Sequence, residues 1–154
     1  MQAVKLSKTV GNSLKRTKKT VAVAESCSGG LLSHWITETP GSSGYFIGGV
    51  VAYSDLIKIK MLGVNAAVLK KFGAVSEPVA KAMALGIRRR MGAGLGIGIT
   101  GIAGPDGGTK NKPVGLVYIA VSDKKKTVCR KFRFLGSRQK TKSLAAFQAL
   151  RFLR

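Results

Sequence analysis

Two short apolar runs, each broken off by a stretch of small residues, constrain this chain more than anything else in it. Val21-Ala22-Val23-Ala24 stops at Glu25-Ser26-Cys27-Ser28-Gly29-Gly30, and residues 95–100 stop at the glycine-rich segment 101–108. Short apolar runs bounded by turn residues read as strands buried on both faces, and such strands need helices above and below them. The chain supplies these. Residues 2–18 set Val4, Val10 and Leu14 among basic residues as a weakly amphipathic helix. Residues 31–37 look helical until Pro40-Gly41, and residues 55–62 form a short helix ending at Gly63. Ser76-Glu77-Pro78 opens a helix to about Met91, with Ser76 as its cap and Pro78 in the first turn, where proline is tolerated. Residues 45–53 read as another strand, residues 114–121 and 127–134 as a hairpin around Asp123-Lys124-Lys125, and a basic helix begins near Gln139. The expectation is an α/β fold with helices layered on a mixed sheet, because late strands that follow each other so closely pair antiparallel. With 154 residues and no linker or repeat, residues 1–154 are expected to form one domain.

The charge sets the chain's dealings with other molecules. Twenty-seven Lys and Arg against six Asp and Glu give a net +21. Such an excess attracts nucleotides, phosphates and nucleic acid. The basic residues are spread along the chain rather than gathered in a tail, and no aromatics alternate with them as in a stacking platform for bases. A solvated basic surface is therefore favoured over a nucleic-acid site. Two cysteines, Cys27 and Cys129, are too few for a disulfide scaffold. No signal-peptide pattern opens the sequence and no apolar run approaches a membrane span, so the expected setting is cytoplasmic, with no membrane partner.

Several chemistries are excluded by supply. The one histidine, His34, lies on a predicted helix, and the six acids are scattered, which starves both a Ser-His-Asp triad and a glycosidase pair. One histidine and two distant cysteines do not make a zinc site, so no metal is expected. Gly96-Ile97-Gly98-Ile99-Thr100-Gly101 matches a dinucleotide fingerprint in letters but lies inside a strand, with no helix opening after it. Two segments do have the right setting for a ligand. Residues 24–30 sit where a strand gives way to a helix, where backbone N–H groups gather at a helix start and glycines permit close approach. Residues 100–108 form a loop of small residues after a buried strand, which is costly to order without a ligand. With histidine scarce, the base for a serine nucleophile is a lysine whose pKa falls on desolvation. Lys58 follows Tyr53 and Ser54 at a helix start, with Ser54 and Lys58 on one face, although composition alone makes it an exposed lysine.

Together these segments resemble the C-terminal domain family of the competence/damage-inducible protein CinA. The resemblance rests on Ala24–Gly30, Gly41–Ser43, Tyr53-Ser54 with Lys58, Leu62–Val64, Gly73–Pro78, Thr100–Gly108 and Lys112–Gly115, in family order. It implies a three-layer α/β/α sandwich with a mixed sheet. It also implies hydrolysis of the carboxamide of nicotinamide mononucleotide to nicotinic acid mononucleotide and ammonia, without cofactor or metal, by a homo-oligomer. By resemblance, Ser43 is the nucleophile, Lys58 the base and later acid, and Tyr53 a relay. Ser26, Ser28, Gly29, Gly30, Thr100, Gly101, Gly104 and Arg138 bind the pyridine nucleotide. Ser28 stands where the family usually has threonine, Ser137 replaces an acid, and Lys142 lies nearest a usual arginine. The competing expectation is a catalytically silent nucleotide- or nucleic-acid-binding module.

Overall fold

The computed structural model describes residues 2–154. Its elements alternate in the order expected of crossover units. Helix α1 (Gln2–Arg16) leads to strand β1 (Val21–Glu25), helix α2 (Leu31–Thr37), a 3-10 turn (Ser42–Gly44) and β2 (Phe46–Val51). Helices α3 (Asp55–Leu62), α4 (Ala66–Phe72) and α5 (Glu77–Arg90) follow, then β3 (Leu95–Gly101), β4 (Leu116–Ser122), β5 (Thr127–Arg133) and α6 (Arg138–Phe152).

The five strands form one sheet in the order β2-β1-β3-β4-β5. β1 runs parallel to both β2 and β3, whereas β4 is antiparallel to β3 and to β5. The sheet is therefore mixed, as the closely spaced last strands required. Helices cover both faces. Val10, Leu14, Leu32, Ile36 and Leu150 from α1, α2 and α6 close one core, and Leu62, Leu69, Val79, Met83 and Ile87 from α3, α4 and α5 close the other. Every residue of β1 is buried, which explains why its sequence runs apolar rather than alternating.

Glycines set the distance between one helix and the sheet. A side chain at Gly96 or Gly98 would run into the backbone of α5, at Ala84 and at Ala80 and Ala84 respectively. The letters that mimic a dinucleotide fingerprint thus serve a close helix–strand contact. Helix α4 has no counterpart in the sequence reading. Asn65 caps it by accepting from the Ala67 N–H at 2.7 Å, and Gly73 ends it. Ser76 occupies the cap position of α5, but its hydroxyl donates back to the Gly73 carbonyl at 2.8 Å instead of capping the helix. No helix among the described residues is long and apolar enough to cross a membrane.

Candidate functional site

The connections dictate where a ligand can enter. From β1 the chain crosses through α2 to β2 on one side, while the return through α3, α4 and α5 brings β3 to the other side of β1. The loops leaving β1 and β2 therefore lead to helices on opposite faces, α2 on one and α3 on the other, while the loop leaving β3 turns back into β4, and a crevice opens at the carboxyl ends of the strands. A pocket of about 180 Å³ lies there, lined by Ser26, Cys27, Tyr53, Lys58, Thr100 and Arg138 among others.

Lys58 is the unusual group in this pocket. Ser54 caps α3 by accepting from the Ile57 N–H at 3.3 Å, which fixes the helix start and turns position 58 inward. The residue is 1% exposed, contrary to what composition suggests for a lysine in so basic a chain. Its Nζ donates to the Tyr53 carbonyl at 3.2 Å and lies 3.6 Å from Asp55 Oδ1, a carboxylate that is itself mostly in solvent. Burial pushes the ammonium pKa below the usual lysine value, and the Asp55 carboxylate partly opposes the fall. A lysine in this state exchanges a proton closer to neutral pH than a surface lysine does.

Arg138 ties three distant segments together at the rim. One guanidinium nitrogen donates to the Gly104 carbonyl at 2.7 Å and the other to the Tyr53 hydroxyl at 2.9 Å. The second glycine-rich loop is held by the fold as well as by this residue. Ile102 N–H donates to the Leu116 carbonyl, and Gly115 N–H donates to Ile102. A Cβ at Gly101 would meet Leu116 and Val117 at 2.7 Å, so that glycine serves close packing on β4. Gly104 adopts φ +82°, where glycine is favoured. Thr100, 1% exposed, donates its hydroxyl to the Ala74 carbonyl at 2.8 Å while lining the pocket.

The first loop differs from the expectation. Its backbone N–H groups at the start of α2 are not free for a ligand, because Glu25 reaches round to take them. The fully buried carboxylate accepts from Gly30 and Leu32 N–H at 3.1 Å each, from Ser33 N–H at 2.8 Å and from the Ser33 hydroxyl at 2.7 Å. The anion that suits a helix start is thus part of the chain. Gly29 and Gly30 adopt left-handed backbone, with Lys142 Nζ 3.3 Å from where a Gly29 side chain would begin. Ser26 lines the pocket, whereas the Ser28 hydroxyl is buried without a partner and faces no open space. Glu25 is the residue the sequence reading missed. Its signal was an acid at a strand end, just before a small-residue turn into a helix.

Ser43 is not brought to Lys58 within one chain. It lies exposed in the 3-10 turn that precedes β2, while Tyr53 and Lys58 follow β2, so the strand's length separates them. His34 sits at the surface, 3.9 Å from Glu38. Cys27 is buried and its thiol is pushed up to about 12 by desolvation, which leaves it protonated and unreactive.

The comparisons with known proteins agree with this architecture. A family model for the CinA C-terminal domain matches residues 3–154. The chain belongs to this family. A CinA-like protein of Gloeothece citriformis is 57% identical over 118 residues, covering 77% of the chain and 28% of the relative. Another from Rippkaea orientalis is 47% identical over 153 residues, covering 97% of the chain and 36% of the relative. The chain thus spans about a third of the length of the curated relatives it matches. Among solved structures, competence/damage inducible protein CihA of Agrobacterium tumefaciens superposes with a TM-score of 0.97 at 35% identity, covering 99% of this chain and 94% of that one. A CinA-superfamily protein from Klebsiella pneumoniae gives 0.96 at 31% identity, covering 99% and 96%. The α/β/α sandwich is the CinA-superfamily fold.

Proposed function

We propose that this CinA-family domain is an amidohydrolase that converts nicotinamide mononucleotide to nicotinic acid mononucleotide and ammonia. The observation that carries the reading is Lys58, a buried amine of lowered pKa set at the crevice where the fold admits a ligand. In its neutral form Lys58 takes the proton of a serine hydroxyl as the oxygen attacks the amide carbon. The resulting ammonium returns that proton to the departing nitrogen, which leaves as ammonia. Water, activated by the same amine, then hydrolyses the ester and frees the serine. Tyr53, its hydroxyl held by Arg138, donates to the developing oxyanion. Arg138 and Lys142, one turn apart on α6, offer positive charge to the nucleotide phosphate beside Gly29, Gly30 and Gly104.

Ammonia and nicotinic acid mononucleotide release, with chelator present, tests this directly. Lys58→Ala is expected to lower kcat at least about 100-fold, the lower range for a lost general base. A well-folded Lys58→Ala variant with full activity overturns the assignment of the base.

The second reading, a silent binding module, draws on the opposite end of the sheet. A larger hollow of about 510 Å³ lies there, edged by Lys18, Lys19, Lys124 and Lys125. Its one acid, Asp123, accepts from the Lys125 and Lys126 N–H groups at 2.7 and 2.8 Å. Wild-type protein without turnover, together with DNA binding that weakens steeply with salt and with Lys124→Glu, favours this reading.

A further inference from the structure

Two segments singled out in the sequence, Gly73–Pro78 and Lys112–Gly115, take no part in the proton transfers at Lys58, yet they meet in the structure. Residues 73–76 join α4 to α5 without a strand or helix of their own, and Ala74 and Val75 from this stretch line the pocket. An irregular wall keeps its shape only where its backbone groups find partners. Here three consecutive carbonyls are taken by three side chains. Lys112 Nζ donates to the Phe72 carbonyl, Ser76 Oγ donates back to Gly73 at 2.8 Å, and Thr100 Oγ1 donates to Ala74 at 2.8 Å. Ser76 belongs to the turn itself, and Thr100 is fixed in β3. Lys112 reaches in from the second glycine-rich loop, 40 residues further along the chain.

The rest of that loop braces the ammonium. The Lys112 N–H donates to Thr109 Oγ1 at 3.0 Å and its carbonyl accepts from the Thr109 N–H at 2.8 Å, which closes a tight turn behind the side chain. Two residues on, Val114 packs so closely on Gly104 and Gly108 that a Cβ at either would run into it. Gly104 in turn gives its carbonyl to Arg138, which also holds the Tyr53 hydroxyl. A continuous chain of contacts thus runs from the end of α4 to the Tyr53 side of the pocket. The Phe72 carbonyl closes α4, where the last carbonyls lack helical partners and carry partial negative charge, so an ammonium suits it.

The pocket lining is divided by chemistry. Lys58, Asp55 and Arg138 bring charge, whereas Ala74, Val75 and Ala103 bring small uncharged side chains. An aromatic ring needs the second kind of surface for its face while its carboxamide meets the first. We propose that Ala74 and Val75 take the face of the ligand's pyridine ring, and that Lys112 is a positioning residue that fixes this wall through its hold on the Phe72 carbonyl. The identity of the ring rests on the amidase reading; the strut itself does not.

The test compares Lys112→Met, which keeps the stem and drops the ammonium, with Lys112→Arg, which keeps a donor. A wall that has lost its tie holds substrate and transition state less well alike. KM for nicotinamide mononucleotide should therefore rise about 10-fold in Lys112→Met, with kcat within about twofold of wild type, while Lys112→Arg stays near the wild-type KM. Val75→Ala, which removes ring contact and leaves the tie, should raise KM by about 10-fold as well. A merely structural lysine costs folded enzyme and lowers the apparent kcat at unchanged KM. That result overturns the proposal, as does a Lys112→Met variant equal to wild type in both constants or a Lys112→Arg KM as high as that of Lys112→Met. A Val75→Ala variant with wild-type KM overturns the ring contact. Where wild type releases no ammonia, the amidase reading fails and the ring contact falls with it, and hydrogen exchange read by mass spectrometry decides the strut. Faster exchange at residues 72–76 in Lys112→Met, with β1 unchanged, supports it; unchanged exchange there overturns it.

Discussion

Replacing Glu25 by glutamine changes almost no volume and should still cost the fold dearly. The carboxylate has four donors aimed at it: Oε1 accepts from the Ser33 N–H and hydroxyl, and Oε2 from the Gly30 and Leu32 N–H groups. A glutamine offers one oxygen and an NH₂ that accepts nothing. Placed toward Ser33, the amide lets the hydroxyl turn and accept, yet the Ser33 N–H is left facing a donor. One buried orphan donor costs about 1–3 kcal/mol. The lost charge at the start of α2 adds about 0.3–1 kcal/mol. The expected loss is about 1–4 kcal/mol, a large share of the roughly 5–15 kcal/mol that holds a domain folded. At roughly 2–4 °C per kcal/mol for a chain of this size, the midpoint falls by about 2–16 °C. Urea and thermal melts followed by circular dichroism measure it. A Glu25→Gln protein within about 0.5 kcal/mol of wild type would refute the argument, since it would mean that shape and not acceptor capacity holds α2 to β1.

The remaining predictions concern the pocket and the packing behind it. Because desolvation lowers the Lys58 pKa from 10.5, the rising limb of kcat/KM with pH should lie below 10.5, and Asp55→Asn, which removes the opposing carboxylate, should move it to lower pH; a limb moved upward contradicts the electrostatics. The same shift acts on stability with a definite sign. Between the folded pKa and 10.5 the unfolded chain holds more protons on Lys58, so its contribution to stability rises with pH across that window and levels off above it. Gly98→Ala should destabilise by about 1–3 kcal/mol, because the methyl meets α5 backbone rather than a movable side chain; a melt unchanged from wild type would show that the helix can move away freely.

What could be read from the residues follows from how local each cause is. β1 was legible because burial on both faces leaves a continuous apolar run, and the β4–β5 hairpin because Asp123-Lys124-Lys125 breaks two β-rich stretches. α4 was missed although Asn65 and Gly73 bracket it, since seven residues give too little periodicity to stand out. Lys58 was a candidate by spacing and resemblance, but its burial arises where α3, packed against α5, brings it to a pocket shared with Ser26, Thr100 and Gly101, which no window of sequence contains. Glu25 illustrates the same limit. Its four donors lie five to eight residues ahead and come into reach only once the turn has folded back on the strand.

The Arg138 fork also has a temporal side. Tyr53 and Arg138 are 85 residues apart, an interval that takes roughly 4–17 s to translate at about 5–20 residues per second. Over roughly the last thirty residues of that interval the nascent chain carries Tyr53, Lys58 and both glycine-rich loops but still lacks the guanidinium that joins them. The rim of the pocket is therefore finished only when α6 has emerged and docked, and a ribosome-bound chain stalled before that helix holds the parts of the site without its clasp.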